Sequence, residues 1–255
     1  MPEAQNLSAG FPRGAGKIGS SAFESCKLTE VTLPASCKKM GKNLFYANRQ
    51  LATLRFADGI DSIPNAVAEI CSQLNDVYLP STVKYIGKLA FAGCHALTCI
   101  NLPEGVEEID FHAFDGAGDS IKQLVLPRSL KRLGAGSFMH MPGLTRVYCP
   151  VQEPPVCNKD ITSEMPFQDN NTTHSVTLYV PKGTLAKYTS TWGWSSFTYI
   201  YELDAGDFPT TGLVEVNAAA SPASRAIYDL MGRRVEHPQP GQVYIAGGKK
   251  VLYTR

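Results

Sequence analysis

The sequence predicts an α/β repeat fold: a curved, right-handed solenoid of six to seven coils, each about 23 residues long, with a parallel sheet on one face and a small β segment at the C-terminal end. The first observation behind this is a phrase ending in Leu-Pro that returns on a fixed beat. It reads Leu28-Thr-Glu-Val31-Thr-Leu33-Pro34, then Leu51 to Phe56, Leu74 to Pro80, Leu97 to Pro103, Ile121 to Pro127 and Leu144 to Pro150. From Leu33 through Phe56, Leu79, Leu102, Leu126 and Cys149 the steps are 23, 23, 23, 24 and 23 residues. The second observation is an unlike phrase locked to the same beat, at Ile18 to Phe23, Met40 to Phe45, Ile86 to Phe91, Ile109 to Phe114 and Leu133 to Phe138. The third is that the 22 glycines and 17 prolines are spread along the chain, which anticipates many turns rather than one linker.

Each part of the coil follows from its residues. In L-x-x-V-x-L the closing alternation of inward and outward positions is the period of a short strand. The proline after it has no N–H to donate and ends the ladder. The V-x-x-I-G portion, as in Val83-Lys-Tyr-Ile86-Gly87, adds two inward apolar positions and a turn. The A-F pair then enters a short helical or 3₁₀-like turn whose ring closes the core. One coil cannot bury its own apolar edge, so the coils stack. A globular domain of hairpins would instead need turns matched to strand pairs, and two unlike phrases on one beat do not provide them. The copy at Ile63 to Ala68 is degenerate, with Pro64 in place of Gly and Ala68 in place of Phe.

The composite P-x-x-V-x-x-I-G-x-x-A-F-x-G-C-x-x-L-T-x-I-x-L-P, nearly complete at Pro80 to Pro103, closely resembles the BspA-like leucine-rich repeats of surface and secreted proteins from gut and oral Bacteroidetes. The matching copies cover about residues 16 to 150. The resemblance implies a curved leucine-rich-repeat solenoid with a parallel sheet on one face, and for some members a link to adhesion.

After Pro150 the beat breaks. Residues 151–175, with Pro154-Pro155, Pro166 and Asp169 to His174, read as an inserted loop. A strand phrase returns at Val176-Thr-Leu-Tyr-Val180-Pro181, followed by a short helical turn over Lys182 to Tyr188, and Trp192, Trp194 and Phe197 supply the bulk of a cap. The expected division is a solenoid with its cap over residues 1–202 and a linker with a small β-sandwich-like module over 203–255. In that module Leu213 to Val216 is a possible strand and Gly247-Gly248 a hairpin candidate. Its Y-D-L-x-G-R-R-V pattern resembles C-terminal modules of secreted Bacteroidetes proteins, either sorting signals or purely structural versions of them.

The bulk numbers limit the function. Lys and Arg total 24 against 23 Asp and Glu, so a nucleic-acid partner is not indicated. No run approaches the ~20 apolar residues of a membrane helix, and no signal peptide is expected in this chain. Seven cysteines cannot all pair within the chain. Cys26, Cys71 and Cys94 share one place in the repeat, Cys37 matches Val83 and Cys149 matches Leu102, so these five are expected in the core as small hydrophobes. Cys99 is expected to face outward and Cys157 to lie in the loop. No C-x-x-C, H-E-x-x-H, G-x-S-x-G or phosphate-binding loop occurs, and no metal, cofactor or catalytic residue is implied. Formal glycosylation sequons stand in Asn170-Asn171-Thr172-Thr173 and mark an exposed loop.

What remains is a surface. The residue between the last two inward positions of each strand is Thr32, Arg55, Tyr78, Asn101, Val125, Tyr148 and Tyr179, expected to line up on the outward sheet face. Arg55, Tyr78, Asn101, Tyr148 and Tyr179 are the candidate binding stripe, being of the types binding surfaces favour. Tyr and Thr also suit exposed strands by propensity alone. The expected function is therefore a non-enzymatic surface or secreted module that binds a host or bacterial surface protein, or a glycan. The alternative is a purely structural spacer.

Overall fold

A computed structural model describes residues 5–6, 16–158, 163–168, 170 and 176–209, and the backbone of five later strands. The chain divides into two compact units, Met1–Phe208 and Pro209–Arg255.

The first unit is a parallel β-solenoid. Its Leu-Pro phrases form strands that pair with the equivalent phrase one coil on. Gln5–Asn6, Leu28–Leu33, Thr53–Phe56 and Asp76–Tyr78 make one four-stranded sheet. Gln123–Val125, Arg146–Tyr148, Thr177–Pro181 and Tyr199–Leu203 make a second. All pairings are parallel, with a register shift at Gln5–Asn6, and from Leu28 onward they are in register, Val31 on Leu54 on Val77 and Val147 on Leu178 on Ile200, so the inward apolar side chains form columns within each sheet. The Leu97–Pro103 phrase lies between the two sheets and forms no strand, although Leu97 and Leu102 point into the core as expected.

The I-G phrases pair along a second side. Ser62–Ile63, Tyr85–Ile86, Glu108–Ile109, Arg132–Leu133 and Val156–Cys157 form a five-stranded parallel sheet. Glycine is required in this phrase because adjacent coils touch there: a Cβ on Gly134 would lie 2.3 Å from the Phe111 nitrogen, and one on Gly41 2.3 Å from that of Ser20.

The A-F segments are turns rather than helices, and their hydrogen bonds show why. Alternate N–H groups close the turn and reach the next coil. Ala90 N–H donates to Gly87 C=O and Ala92 N–H to Leu89 C=O, whereas Leu89, Phe91 and Gly93 donate to Phe111, Ala113 and Asp115. With every second donor committed to the neighbouring coil, an i to i−4 ladder cannot form. Leu89, His112 and Asn43 accept φ values of 50–59° at one common position of this turn. The α-helix among the described residues is Leu185–Ser190, in the cap.

The rings of these turns stack on one another. Phe23 lies 5.6 Å from Phe45. After the Ala68 gap the row runs Phe91, Phe114, Phe138, Phe167 at 5.3, 5.4 and 5.4 Å. Phe167 was expected inside an inserted loop. It instead occupies the ring position of a seventh turn, in which Phe138 N–H donates to Pro166 C=O as Phe114 N–H donates to Ser137 C=O. Residues 151–175 thus contain a further coil, lengthened so that the step from Cys149 to Val180 is 31 residues instead of 23. Trp194, Tyr188 and Phe197 close the stack. Trp194 is fully buried, packs 5.8 Å from Phe167, and donates its indole N–H to Pro155 C=O at 2.8 Å, which makes it a cap residue.

All seven cysteines are free thiols. Cys37, Cys71, Cys94 and Cys149 are buried as expected. The thiols of Cys71 and Cys94 also donate to the carbonyls of Phe45 and Ala68 in the preceding turn, each at 3.2 Å. Asn48 does the same from the equivalent place, its amide donating to Phe23 C=O at 2.7 Å. Cys26 is exposed, contrary to expectation: no described turn precedes it, and its sulfur turns to Glu24 C=O in its own turn. Cys157 was expected in the loop, but it lies in the Val156–Cys157 strand with its sulfur against Gly193, where a Cβ would approach to 2.6 Å. Cys99 is half-buried and its sulfur accepts from the Asn101 amide at 3.3 Å.

The second unit contains one mixed five-stranded sheet among its described residues. Leu213–Asn217 pairs parallel with Lys249–Thr254, which pairs antiparallel with Val243–Ala246, and Ile227–Tyr228 and Arg234–Val235 follow. Ala246 lies opposite Lys249, and the expected turn residues Gly247-Gly248 fall outside the described residues.

Three outcomes follow from this packing. Phe138→Ala removes a fully buried ring stacked on both sides and should cost about 3–5 kcal/mol in denaturant unfolding. Ser137→Ala should instead stabilise by about 1 kcal/mol, because the Ser137 hydroxyl is the one buried side-chain polar atom without a partner among the described residues. Burial pushes the thiols of Cys71, Cys149 and Cys157 up to about 12 and that of Cys94 well above its usual range. Alkylation of the native protein at mildly alkaline pH should therefore modify exposed Cys26 and spare these four until the chain is unfolded.

Candidate functional site

The outward sheet face is built by the register of the strands. Because pairing is in phase, side chains one coil apart stand directly beside each other and form rows across the sheet. In the C-terminal sheet one row is Val125, Tyr148, Tyr179 and Tyr201, and the next is Gln123, Arg146, Thr177 and Tyr199. Tyr148 and Tyr179 stack with ring centroids 4.8 Å apart and planes 13° apart. Tyr201 continues the row at 6.1 Å with a 31° tilt. Tyr148 and Tyr179 are half-buried by this stacking, while Tyr199 and Tyr201 are 48% and 55% exposed.

The N-terminal sheet carries different chemistry. Thr32, Arg55 and Tyr78 form its row, with Glu30, Thr53 and Asp76 beside them. Arg55 donates to the Asp76 carboxylate at 3.2 Å, so its charge is already paired. Burial raises the Tyr78 phenol above its ordinary pKa; Asp58 adds to this and the Arg55 guanidinium opposes it.

The five candidate residues are thus divided between two hydrogen-bonded sheets and the phrase between them. The structure brings Arg55 and Tyr78 together in the first sheet and Tyr148 and Tyr179 in the second. Asn101 belongs to neither, is half-buried, and donates its amide to Cys99. Tyr199 and Tyr201 were missed by sequence reasoning, although the alternation Tyr199-Ile200-Tyr201-Glu202-Leu203 is a strand signal. It follows the cap aromatics, where no further repeat was sought.

Other candidates resolve differently. Asn170 of the formal sequon is fully buried: its amide donates to Phe138 C=O at 3.0 Å and its carbonyl accepts from Met141 N–H at 2.7 Å, which leaves no access for a glycan. Charged side chains beside the I-G strands pair coil to coil, Lys131 to Glu107 at 2.6 Å and Arg132 to Glu108 at 2.5 Å. Among the described residues no group of three or more His, Cys, Asp or Glu side chains is arranged to hold a metal ion, and no helix is long and apolar enough to cross a membrane.

The repeat phrases, their parallel stacking and the coil hidden in 151–175 agree with a family model. Six copies of the BspA type leucine-rich repeat region match residues 5–118 and 70–178. The chain belongs to this family. The match runs through the segment with the interrupted beat, as the ring position of Phe167 requires. No curated protein matches the chain. Among solved structures, a leucine-rich repeat protein of T. pallidum is 26% identical over 50% of this chain and 71% of its own, with a TM-score of 0.40. A leucine-rich cell surface protein of Faecalibacterium prausnitzii is 17% identical over 79% of this chain and 70% of its own, with a TM-score of 0.45. A leucine-rich repeat protein of Bacteroides ovatus is 19% identical over 74% of this chain and 57% of its own, with a TM-score of 0.41. At these scores the BspA type assignment rests on the family model and on the coils themselves.

Proposed function

We propose that this BspA type repeat chain is a non-enzymatic recognition module at the cell surface or outside the cell, which engages a protein or a glycan through its outward sheet face. The observation that supports this reading is the row Tyr148, Tyr179 and Tyr201 with Tyr199 beside it. A solvent-facing sheet needs only polar or β-branched side chains to fold. Four clustered tyrosines, two of them large exposed hydrophobics, exceed that need and have the amphipathic character of contact surfaces. Arg55, Tyr78 and Asn101 are on this reading peripheral contributors, the first already bound to Asp76. The working division is an array over residues 1–202 and a separate module over 203–255, the latter a sorting segment or a structural one. A Bacteroidetes origin fits the repeat consensus.

A spacer would serve equally well with its face emptied of aromatics, and this separates the two readings. The purified chain is screened against extracellular-matrix proteins and a glycan array, with Tyr179→Ala/Tyr201→Ala beside it. Binding that weakens by roughly thirtyfold or more, the factor of an interface hot spot, in a variant with unchanged unfolding supports recognition. Absence of any binding partner, or binding indifferent to the two substitutions, favours the spacer.

A further inference from the structure

Outside the sheet face, a largely buried titratable cluster on the A-F side joins separate turns. His112, in the fifth turn, has only 13% of its side chain exposed, and both of its ring nitrogens are engaged. Nδ1 lies 2.7 Å from the Asp115 carboxylate and Nε2 lies 2.8 Å from the Glu164 carboxylate. Asp115 belongs to the same turn, but Glu164 belongs to the seventh. The imidazole reaches it across the sixth turn because that turn has Gly136 at the crossing. A Cβ there would lie 2.5 Å from His112 Nε2, 2.7 Å from Cε1 and 2.8 Å from Cδ2. The Phe111 ring packs 4.0 Å from the imidazole on its own turn.

The chemistry of this arrangement depends on one proton. Ionised carboxylates only accept, so both contacts are hydrogen bonds only when both imidazole nitrogens carry hydrogen. A neutral ring sets a lone pair against one carboxylate. We propose that His112 is a pH-sensitive clasp: its imidazolium holds the lengthened seventh turn on the stack, and its deprotonation frees the Ser163–Pro166 side of that turn.

The groups facing His112 from each packed element are Asp115 of the fifth turn, Glu164 of the seventh, and His140 of the sixth, which approaches the other Asp115 oxygen at 2.7 Å. Gly136 and Phe111 add no charge. Nearby, Asp110 is taken by the Tyr85 hydroxyl at 2.6 Å, and His95 faces Asp119 at 3.1 Å. Two carboxylates therefore surround one imidazolium directly. Burial opposes the charged ring, but the hydrogen bonds and charges of Asp115 and Glu164 outweigh it and raise the His112 pKa above its ordinary value. A folded-state pKa that is raised gives a contribution fully present below the unfolded imidazole value, about 6.5, and lost as pH rises through the folded one. The clasp is thus closed on the acid side and opens as the medium becomes more alkaline.

Opening does not require unfolding, because other contacts keep the rest of the turn in place. Phe167 remains stacked on Phe138, and Asn170 bonds Phe138 and Met141. The bond from Phe138 N–H to Pro166 C=O, two residues from Glu164, reports the opening.

The test follows hydrogen exchange at the Phe138 amide across the titration of His112, the latter read from the imidazole NMR signals of the same sample. After correction for intrinsic exchange, protection should fall roughly tenfold or more above the His112 midpoint, as loss of one charge-assisted hydrogen bond implies. His112→Asn suits the positive φ of this position; it should show low protection at both ends of the range and no step. Glu164→Gln, which keeps the side chain's size and removes its charge, should lower the His112 midpoint and shrink the step. Wild-type protection that stays constant while His112 deprotonates, or a His112 midpoint unmoved by Glu164→Gln, overturns the proposal.

Discussion

Stacking of one coil upon the next is the constraint on which everything else depends. The A-F turn carries it in two ways. Its alternate N–H groups donate forward to the next turn, and its ring packs on the ring ahead at 5.3–5.6 Å. A coil supplied with only one of these would leave either unpaired backbone groups or a void in a close-packed core, each costing kilocalories. The beat tolerates substitution only where the second requirement can be met elsewhere. Ala68 interrupts the row of rings, yet it keeps the backbone bond, donating to Ala90 C=O at 2.9 Å. The donor side chains Asn48, Cys71 and Cys94 add a third link by bonding a carbonyl of the preceding turn.

This hierarchy explains what was legible beforehand. Inward columns repeat because identical backbone geometry demands them, so Val31, Leu54, Val147 and their equivalents were readable from spacing alone. The seventh coil was not, because most of its extra residues fall between the Val156–Cys157 strand and Phe167, so the spacing that leads to the ring is 10 residues from Cys157 to Phe167 against 5 from Leu133 to Phe138. A proline at Pro166 disguised the turn further. It is tolerated because the link to the neighbouring turn needs only its carbonyl, which receives the Phe138 N–H; proline forgoes the bond within the turn that Ala90 N–H makes to Gly87 C=O at the equivalent place. The exposure of Cys26 had the opposite cause. Its spacing is correct, but a core position needs a neighbour on both sides, and spacing does not reveal where an array begins to be covered.

The candidate site was legible in part for a related reason. Register made the outward rows predictable, and Tyr148 and Tyr179 stand side by side as the spacing requires. Whether a phrase becomes a strand is decided by its neighbours as well as by its own residues. Leu97 to Pro103 has the pattern and sends Leu97 and Leu102 inward, yet it joins neither sheet, and the ladder of strands is interrupted at Asn101. The continuity of the core therefore does not guarantee continuity of the surface. Tyr199 and Tyr201 became visible only once the cap was seen to return to the sheet.

If the face binds a partner as proposed, its chemistry governs where binding energy would reside. At Arg55 the charge is already satisfied by Asp76, so a partner that covered the pair would have to desolvate both ions before gaining anything from either. The tyrosine row carries no such cost. Tyr148 and Tyr179 have surrendered their ring faces to each other on folding, which fixes their rotamers before any partner arrives and removes much of the entropy loss of association. Tyr201 at the tilted end, and Tyr199 beside it, still expose ring surface and hydroxyl together. A preorganised row that ends in open aromatic surface concentrates contact at the C-terminal end of the array. On the proposed reading, the same feature would place recognition on the strand that follows the cap, where the repeat no longer dictates each residue.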